Sequence, residues 1–315
     1  MKRIKLASLL YFVLLLAFTA YVLLDALVIP RAYQVVPQSM ADTSDETAAQ
    51  STALNNTGSS TESETDRATE TAVTVTDTSY DGNGISITIT TYREYDTNIY
   101  VADITLESAD SLQTAFAQST YGKNITETAS SIASDVGAIL AINGDYYGVR
   151  SGYVIRNGVL YRNSSSDDEQ QDLVIWADGS CSTILEGDVT AEELLAQGAQ
   201  QVLSFGPALL TDGEVSVGTS TEVDKSMTSN PRTAIGVIDS LHYVMVVSDG
   251  RTSESEGLSL YQLAEFMQTL GVQTAYNLDG GGSSTMVFCG TVLNDPTTDG
   301  RTIKERSVSD IVYIG

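Results

Sequence analysis

The chain has 315 residues, 42% of them hydrophobic, so it can bury a substantial core in one large domain with appendages or in two modest domains. Its formal net charge is −25, with only 16 lysines and arginines, which argues against nucleic-acid binding, because that affinity depends on neutralising phosphates with basic side chains. The single histidine, His242, lies in an apolar run typical of a strand, so zinc hydrolase chemistry and a serine–histidine triad are disfavoured. Cys181 and Cys289 lack metal-binding spacing and could form one disulfide or stay free.

The first 37 residues are typical of a membrane anchor. Lys2, Arg3 and Lys5 precede an apolar segment, roughly residues 6–29, which is long enough to cross a bilayer of about 30 Å as a helix. The basic flank predicts a cytoplasmic N-terminus and export of everything after Pro30, so we expect a single-pass protein of the cell membrane with an extracellular domain. A cleaved signal peptide is the alternative, but the apolar core exceeds the usual length of about 7 to 15 residues and no clean small-x-small site follows.

Residues 38–72 are predicted to be a disordered spacer. They are rich in Ser, Thr, Ala, Asp and Glu and hold almost no large apolar residue, so they cannot bury enough surface to offset the entropy of ordering. The folded domain is therefore predicted at residues 73–315.

Periodicity in this domain predicts a mixed α+β (α/β) fold built on a mixed sheet. Alternating apolar residues at 84–91 and 98–106 predict a hairpin. A helix is predicted over 124–136, with Asn124 and Glu127 as its capping box, followed by a strand over 138–142. Further elements are predicted as strands within 152–161, at 172–176 and within 201–210, a short helix at 191–197, and a hairpin turn at 211–214.

The last third of the domain predicts a strand–helix–strand unit. Its strands are residues 241–247 and 272–278, and its helix, residues 260–270, begins at a capping box of Ser259 and Gln262. Such strands run parallel and end at one edge of the sheet, where open α/β folds place their ligands. Asp249 and Asp279 follow the two strands, so we expect them at one edge; Asn143 and Asp145, which follow an earlier helix and strand, could join them there.

Three consecutive glycines, Gly280, Gly281 and Gly282, follow Asp279 and precede Ser283 and Ser284. Their exposed N–H groups could form an anion-binding nest, although no lysine follows as it would in a Walker loop. The alternative is a tight turn capped by the two hydroxyl groups. Asp-Gly breaks at several strand ends favour the binding site over the turn.

Several motifs of the chain resemble, in order, the pattern of the phosphodiester glycosidase family, which includes bacterial proteins tied to exopolysaccharides. The matching segments are residues 143–147, 152–158, 205–207, 231–236, 249–251 and 277–284. The resemblance implies hydrolysis of a sugar-1-phosphodiester that releases the sugar and leaves the phosphate on its other alcohol. Two departures bear on substrate choice: Asp145 stands where the family usually has a second glycine, and Arg306-Ser307-Val308 where it usually has Arg-Pro-Val.

This chemistry needs a carboxylate facing the anomeric carbon and cations around the departing phosphate. The candidate carboxylates are Asp279, Asp249 and Asp145, the first two being favoured. Arg232 and Arg251 are the candidate clamp, with Arg150 a weaker third and structural ion pairing the alternative for each. The other predicted substrate-binding residues are Asn143, Asn277, Gly280, Gly281, Gly282, Ser283 and Ser284.

The predicted reaction requires no cofactor, and a divalent cation such as Ca²⁺ is left open. The expected partners are a carbohydrate phosphodiester or polysaccharide substrate and the membrane through the N-terminal helix, with no nucleic acid. The rival hypothesis is a non-catalytic cell-envelope module that binds anionic polysaccharide or helps its assembly, because the same arginines and glycine-rich loop would serve binding alone.

Overall fold

The computed structural model describes residues 2–33, 35, 73–221 and 229–315, and within them the side chains from residue 11 onward. The helices are α1 (Lys2–Leu27), α2 (Ala129–Val136), α3 (Ala191–Ala196) and α4 (Leu260–Thr269). The strands are β1 (Arg31–Ala32), β2 (Thr74–Val75), β3 (Ser79–Gly82), β4 (Ile85–Glu94), β5 (Thr97–Leu106), β6 (Leu112–Phe116), β7 (Gly122–Lys123), β8 (Leu140–Asn143), β9 (Val154–Arg156), β10 (Val159–Arg162), β11 (Gln171–Trp176), β12 (Cys181–Leu185), β13 (Ala199–Leu203), β14 (Ala208–Thr211), β15 (Glu214–Val215), β16 (Arg232–Asp239), β17 (His242–Ser248), β18 (Thr274–Asn277), β19 (Met286–Phe288), β20 (Thr291–Val292) and β21 (Asp310–Ile314). Short 3₁₀ turns occupy Ala109–Ser111, Ala117–Ser119 and Gly281–Ser283.

The described strands form one large sheet, two smaller sheets and a short ribbon. The large sheet has nine strands in the order β15-β14-β18-β16-β17-β5-β4-β3-β2. The smaller sheets have the orders β10-β9-β13-β11-β12 and β20-β19-β8-β21-β6, and β1 pairs with β7. The fold is sheet-rich with few helices, which confirms the predicted combination of α and β elements in part. Every strand pairing within the described ranges is antiparallel.

The central strands of the nine-stranded sheet, β16 and β17, are buried on both faces, whereas β4 leaves alternate residues of one face exposed. On one face, side chains such as Ile104 and Met245 pack in a single core with residues of both smaller sheets, among them Ile142 and Leu173. On the other face, α4 covers the sheet through Leu263 and its neighbours. The alternating pattern along β4 and β5 follows from this arrangement, because side chains on a strand point alternately to the two faces of the sheet.

Local signals located the hairpin and α4 correctly. β4 pairs antiparallel with β5 from Ile85↔Leu106 to Glu94↔Thr97. α4 begins at the predicted capping box, in which Ser259 and Gln262 each bond the other's backbone N–H. Both signals depend on residues close in sequence, so tertiary packing did not change the elements that they predict.

The strand–helix–strand unit differs from its prediction in one respect. β17 and β18 each pair antiparallel with β16, which lies between them, so the two strands run in the same direction without being neighbours. They still end at the same edge of the sheet, and Asp249 and Asp279 both follow at that edge.

The predicted start of the helix after residue 124 is wrong. Asn124 has φ of 57°, in the left-handed region, and the backbone of Glu127 pairs with Val308 instead of entering a helix. α2 begins five residues later than predicted, at Ala129, where the Thr128 hydroxyl accepts from the N–H of Ser131 at 3.2 Å.

The N-terminal predictions had different outcomes. Across the helices of the described ranges, none is both long and apolar enough to cross a membrane, so the predicted membrane-spanning anchor is not supported. The predicted spacer, residues 38–72, lies outside the described residues. Cys181 and Cys289 are both free thiols, which decides between the two alternatives left open for them.

Candidate active site

The glycine-rich loop, residues 279–284, packs against the end of β8, and Asn143 at that end forms hydrogen bonds on both sides of the loop. Asn143 Nδ2 donates to the carbonyl of Asp279 at 2.6 Å, and its Oδ1 accepts from the Thr233 hydroxyl at 2.8 Å and from the Thr285 N–H at 3.2 Å. The N–H of Asp279 donates to the carbonyl of Gly144 at 3.3 Å. Asn143 is fully buried, so the structure places this predicted substrate ligand behind the site, as a cross-link that holds Asp279.

The three glycines allow the loop after Asp279 to pack closely on its neighbours. Gly281 has φ of 61°, and a Cβ atom on it would lie 2.8 Å from Nη2 of Arg251. The N–H groups of Gly281, Ser283 and Ser284 donate to backbone carbonyls of residues 231, 280 and 281. Three potential donors of the predicted anion nest are thus already used within the protein.

The side chain of Asp279 forms the centre of the loop's polar contacts. Arg306 Nη2 donates to Asp279 Oδ2 at 2.9 Å, and Arg306 Nε donates to the Ser283 hydroxyl at 2.9 Å. Burial raises the pKa of Asp279, although Arg306, Ser283 and the charge of Arg150 act in the opposite direction. The Asp279 side chain is 12% exposed and that of Arg306 is 40% exposed, so the pair is open to solvent mainly through the arginine.

Contacts on either side of Arg306 hold it in place. The Glu305 carboxylate accepts from the hydroxyl of Ser130 and, at 3.1 Å, from its N–H in the first turn of α2. Val308 exchanges two backbone hydrogen bonds with Glu127, at 2.7 and 3.0 Å. The backbone of Arg306 is therefore held on both sides, which favours a fixed position of its guanidinium relative to Asp279.

Arg251 is the second cation of the site. Its Nε and Nη2 donate to Asn230 Oδ1 at 3.1 and 3.0 Å, and its Nη1 donates to the carbonyl of Thr298 at 2.8 Å. These acceptors are neutral, unlike the carboxylate that pairs with Arg306. Burial, together with the positive charge of Arg306, lowers the pKa of Arg251. An anion bound beside Arg251 and Arg306 would offset the repulsion that lowers the pKa of Arg251.

Arg232, the other half of the predicted clamp, lies deeper than Arg251. It is only 3% exposed, at the start of β16, and its Nε donates to the carbonyl of Leu258 at 2.9 Å. Arg150 is half-buried, with its guanidinium 4.1 Å from the centre of the Phe205 ring. Of the three arginines predicted for the site, Arg251 and Arg150 are therefore the more accessible.

Asp249 and Asn277 lie at the same edge as Asp279 but have different contacts. Asp249 accepts from the N–H of Asp295 at 2.8 Å and from the Tyr100 hydroxyl at 3.3 Å, and burial raises its pKa. Asn277 Nδ2 donates to the carbonyl of Gly206 at 2.8 Å, whereas its buried Oδ1 has no hydrogen-bond partner among the described residues. The contacts of Asp249 are those of a residue that fixes a loop.

Asp145 is engaged in a buried ion-pair network. Arg156 Nη2 lies 2.8 Å from Asp145 Oδ1 and 3.1 Å from Asp310 Oδ2. The Asp145 carboxylate also accepts from the N–H groups of Ser204 at 2.8 Å and Tyr147 at 3.2 Å, and the residue is fully buried. With both oxygens bonded inside the protein, Asp145 is placed to organise the fold, and this geometry does not support its predicted catalytic role.

A cavity of about 430 Å³ borders Arg306. It is lined by residues 27–28, 124–126, 306–307 and 309 together with Tyr146, Gly148 and Val149. A second cavity, of about 500 Å³, lies between β11, β12 and α3 around Trp176 and contains none of the predicted site residues. Of these two cavities, the first adjoins the Asp279–Arg306 pair, through Arg306.

Sequence reasoning missed Arg306 and Tyr146 as site residues. Arg306 was noted only for the serine that follows it, yet an arginine in so acidic a chain was itself a signal.

Within the described ranges, no group of three or more His, Cys, Asp or Glu side chains is placed to hold a metal ion, and a need for a divalent cation stays untested.

Comparisons with known proteins found a family model and relatives that match much of the chain. Residues 136–315 match a family model described as phosphodiester glycosidase. The chain is 29% identical over 199 residues to the SPbeta prophage-derived uncharacterized protein YomE of Bacillus subtilis (strain 168), covering 62% of this chain and 30% of that protein. It is 30% identical over 188 residues to mouse (Mus musculus) N-acetylglucosamine-1-phosphodiester alpha-N-acetylglucosaminidase, covering 54% of this chain and 35% of that protein. The matched region thus spans about a third of the length of these relatives.

The fold is shared with a solved structure. The zebrafish N-acetylglucosamine-1-phosphodiester alpha-N-acetylglucosaminidase catalytic domain, auto-inhibited by its pro-peptide, superposes with a TM-score of 0.59 at 23% identity, covering 73% of this chain and 82% of that one. The family model covers more than half of the chain and includes Asn143, Asp279 and Arg306. The chain therefore belongs to the phosphodiester glycosidase family.

Proposed function

We propose that the protein hydrolyses a sugar-1-phosphodiester, with Asp279 as the base and Arg306 and Arg251 as the cations that hold the phosphate. The observation that carries this proposal is the Asp279–Arg306 pair at 2.9 Å, partly exposed and next to a second arginine that no carboxylate of the described residues pairs with. A buried carboxylate with a raised pKa is a stronger base than an exposed one, and adjacent arginines suit a phosphate that gains charge as it leaves.

The reaction balances without a cofactor. Water attacks the anomeric carbon, the bond between that carbon and the phosphate oxygen breaks, and the electron pair stays on the oxygen. One proton of the water passes to Asp279 and then to solvent, while the other remains on the new sugar hydroxyl. The products are free sugar and a phosphomonoester. Since the second pKa of such a phosphate is about 6, the leaving oxygen needs little protonation, and the site can work without a histidine.

We infer further that the sugar resembles N-acetylglucosamine, because that sugar-1-phosphodiester stands in the names of the mouse and human relatives. The fully buried positions of Asn143 and Asp145 favour support of the site over contact with the substrate. The hydrogen bond from the Asp295 N–H to Asp249 favours the same supporting role for Asp249. An extracellular, cell-envelope or exopolysaccharide setting stays a prediction.

The test is hydrolysis of methyl N-acetylglucosamine-1-phosphate by the purified full-length protein in ¹⁸O-labelled water. We expect release of the sugar and of methyl phosphate that carries no label, because the carbon–oxygen bond breaks. Asp279→Asn, nearly isosteric, should abolish release while the substrate still binds. Label in the phosphate would identify a phosphodiesterase, and binding without any release would favour the non-catalytic module.

A further inference from the structure

The cavity beside Arg306 has no role in the chemistry proposed above. Its volume of about 430 Å³ lies within the range of roughly 300 to 1,000 Å³ that is usual for small-molecule sites. Arg306 belongs both to its wall and to the pair with Asp279. The cavity therefore adjoins the proposed site at Arg306 and is large enough for part of a substrate.

The order of chemical groups along the substrate determines which part of it the cavity would hold. In a sugar-1-phosphodiester the phosphate stands between the sugar and a second alcohol. The anomeric carbon must come within about 3 to 3.5 Å of the attacking group to react. Among the described residues that line the cavity, Asp279 does not occur, whereas Arg306 does. With the sugar at Asp279 and the phosphate at Arg306, the second alcohol extends into the cavity.

The bonding of Arg306 agrees with this order. Its Nε and Nη2 are directed to Ser283 and Asp279, whereas its Nη1 makes no hydrogen bond with any described residue. The guanidinium carbon lies 6.0 Å from the centre of the Tyr146 ring, which also lines the cavity. A phosphate bound at the remaining edge of Arg306 would thus lie between Asp279 and the cavity.

The cavity walls combine apolar and polar groups. Val149 is 63% exposed, and it lines the cavity together with Tyr146. The hydroxyl of Ser309 is buried and has no hydrogen-bond partner among the described residues. A buried hydroxyl without a partner is destabilising, so a hydrogen bond to an oxygen of a bound molecule would stabilise it.

The backbone presents Tyr146 in a strained conformation. Tyr146 has φ of 60°, a value that few residues other than glycine adopt. Its carbonyl accepts from the N–H groups of Val149 and Arg150, both at 3.1 Å, and the preceding Asp145 side chain accepts from the N–H of Tyr147. The turn is thus held from both sides, and conformations of this kind concentrate at ligand sites.

We propose that this cavity is the subsite for the alcohol half of the phosphodiester and that it selects alcohols with an apolar face larger than a methyl group. This inference rests on the proposed function. Tyr146 and Val149 supply the apolar wall, and Ser309 supplies a hydrogen bond to an oxygen of the alcohol. The two residues of the apolar wall then determine which phosphodiesters the protein prefers.

The test compares phenyl and methyl N-acetylglucosamine-1-phosphate as substrates of the full-length protein. Val149→Trp fills the cavity from an exposed position, so the fold tolerates it. It should lower the phenyl-to-methyl ratio of kcat/KM by about tenfold, since burial of the ring against the wall is lost. Val75→Trp, at a residue that is 51% exposed and distant in sequence from the cavity walls, is the matched control and should leave the ratio unchanged.

An unchanged ratio in Val149→Trp would overturn the proposal. This includes an equal loss of kcat/KM for both substrates, because the cavity would then hold the sugar or the phosphate that they share. A binding measurement separates this inference from the proposed function. By calorimetry, phenyl phosphate should bind the wild-type protein about tenfold more tightly than methyl phosphate and lose this advantage in Val149→Trp.

The binding measurement tests the proposed subsite even if neither substrate is hydrolysed. In that case the proposed function fails, and a preference for phenyl phosphate that Val149→Trp removes would still support the subsite. Equal binding of the two phosphates to the wild-type protein would overturn the subsite whatever the result for hydrolysis.

Discussion

Arg306 Nη2 lies 2.9 Å from Asp279 Oδ2, although 27 positions of the sequence separate the two residues. The same arginine donates through Nε to Ser283, so one guanidinium holds both the carboxylate and the loop that follows it. A lysine could not reproduce this geometry, because its ammonium lacks the planar fork in which Nε and Nη2 donate together. This geometry makes Arg306, more than the predicted Arg232, the cation on which catalysis should depend.

Arg306→Lys should lower kcat/KM by about ten- to a hundredfold, since a charge-assisted hydrogen bond is worth about 1.5 to 3 kcal/mol. Its Tm should change little, because the Arg306 side chain is 40% exposed. Arg232→Lys, at a position only 3% exposed, should instead lower the Tm. The reverse pattern, with activity lost in Arg232→Lys at an unchanged Tm, would restore the clamp predicted from sequence.

The pH dependence of kcat/KM should report the ionisation of Asp279. Only the carboxylate can accept a proton, so activity should fall as the pH drops through the pKa of Asp279. Burial raises that pKa, and the acid limb should therefore lie above the ordinary aspartate value of about 3.9.

Arg306 opposes this effect of burial, so its removal should raise the pKa of Asp279 further. In Arg306→Gln the acid limb of the pH–rate profile should move to higher pH than in the wild-type protein. A limb that stays in place, or moves to lower pH, would mean that another group controls the profile.

Gly281→Ala should lose activity beyond any loss of stability. An alanine at φ of 61° is strained by about 1 to 2 kcal/mol, and its Cβ would lie 2.8 Å from Arg251 Nη2 and displace it. Gly290→Ala is a matched control, since Gly290 has φ of 79° but no atom within 4 Å of the added Cβ. Both variants should lose similar stability in urea titrations, and only Gly281→Ala should lose kcat/KM. Equal activity of the two variants would separate Arg251 from catalysis.

Asp310→Asn should change the pH dependence of stability. Burial and the charge of Asp145 raise the pKa of Asp310 to about 7, against about 3.9 in the unfolded chain. The folded protein therefore binds the proton more tightly, and the stability that this group contributes below about pH 4 is lost as the pH rises to about 7. The free energy of unfolding of Asp310→Asn, relative to wild type, should accordingly increase between pH 4.5 and pH 8.

Asp145→Asn is the comparison for that measurement. Asp145 accepts from two backbone N–H groups as well as from Arg156, so its substitution should destabilise the protein at both pH values. If the difference between Asp310→Asn and wild type were the same at pH 4.5 and pH 8, Asp310 would not be the titrating group.

Signals between residues close in sequence determined much of the fold. The alternation along β4 and β5, and the pair of Ser259 with Gln262 at the start of α4, predicted elements that the structure contains. Such signals succeed because side-chain periodicity and capping act within a few residues. They failed at Asn124, where pairing of Glu127 with Val308 holds the chain out of the helix.

By itself, the sequence determined the family, the strand ends that carry Asp249 and Asp279, and the glycine-rich loop. Only the tertiary structure decided which charges meet there. It placed β16 between β17 and β18, assigned Asp145 to Arg156 and Asp279 to Arg306, and buried Arg232. The physical reason is that a carboxylate pairs with the cation that the strand order brings within hydrogen-bond distance. Strand order depends on packing between segments far apart in the chain, and local periodicity carries no information about that packing.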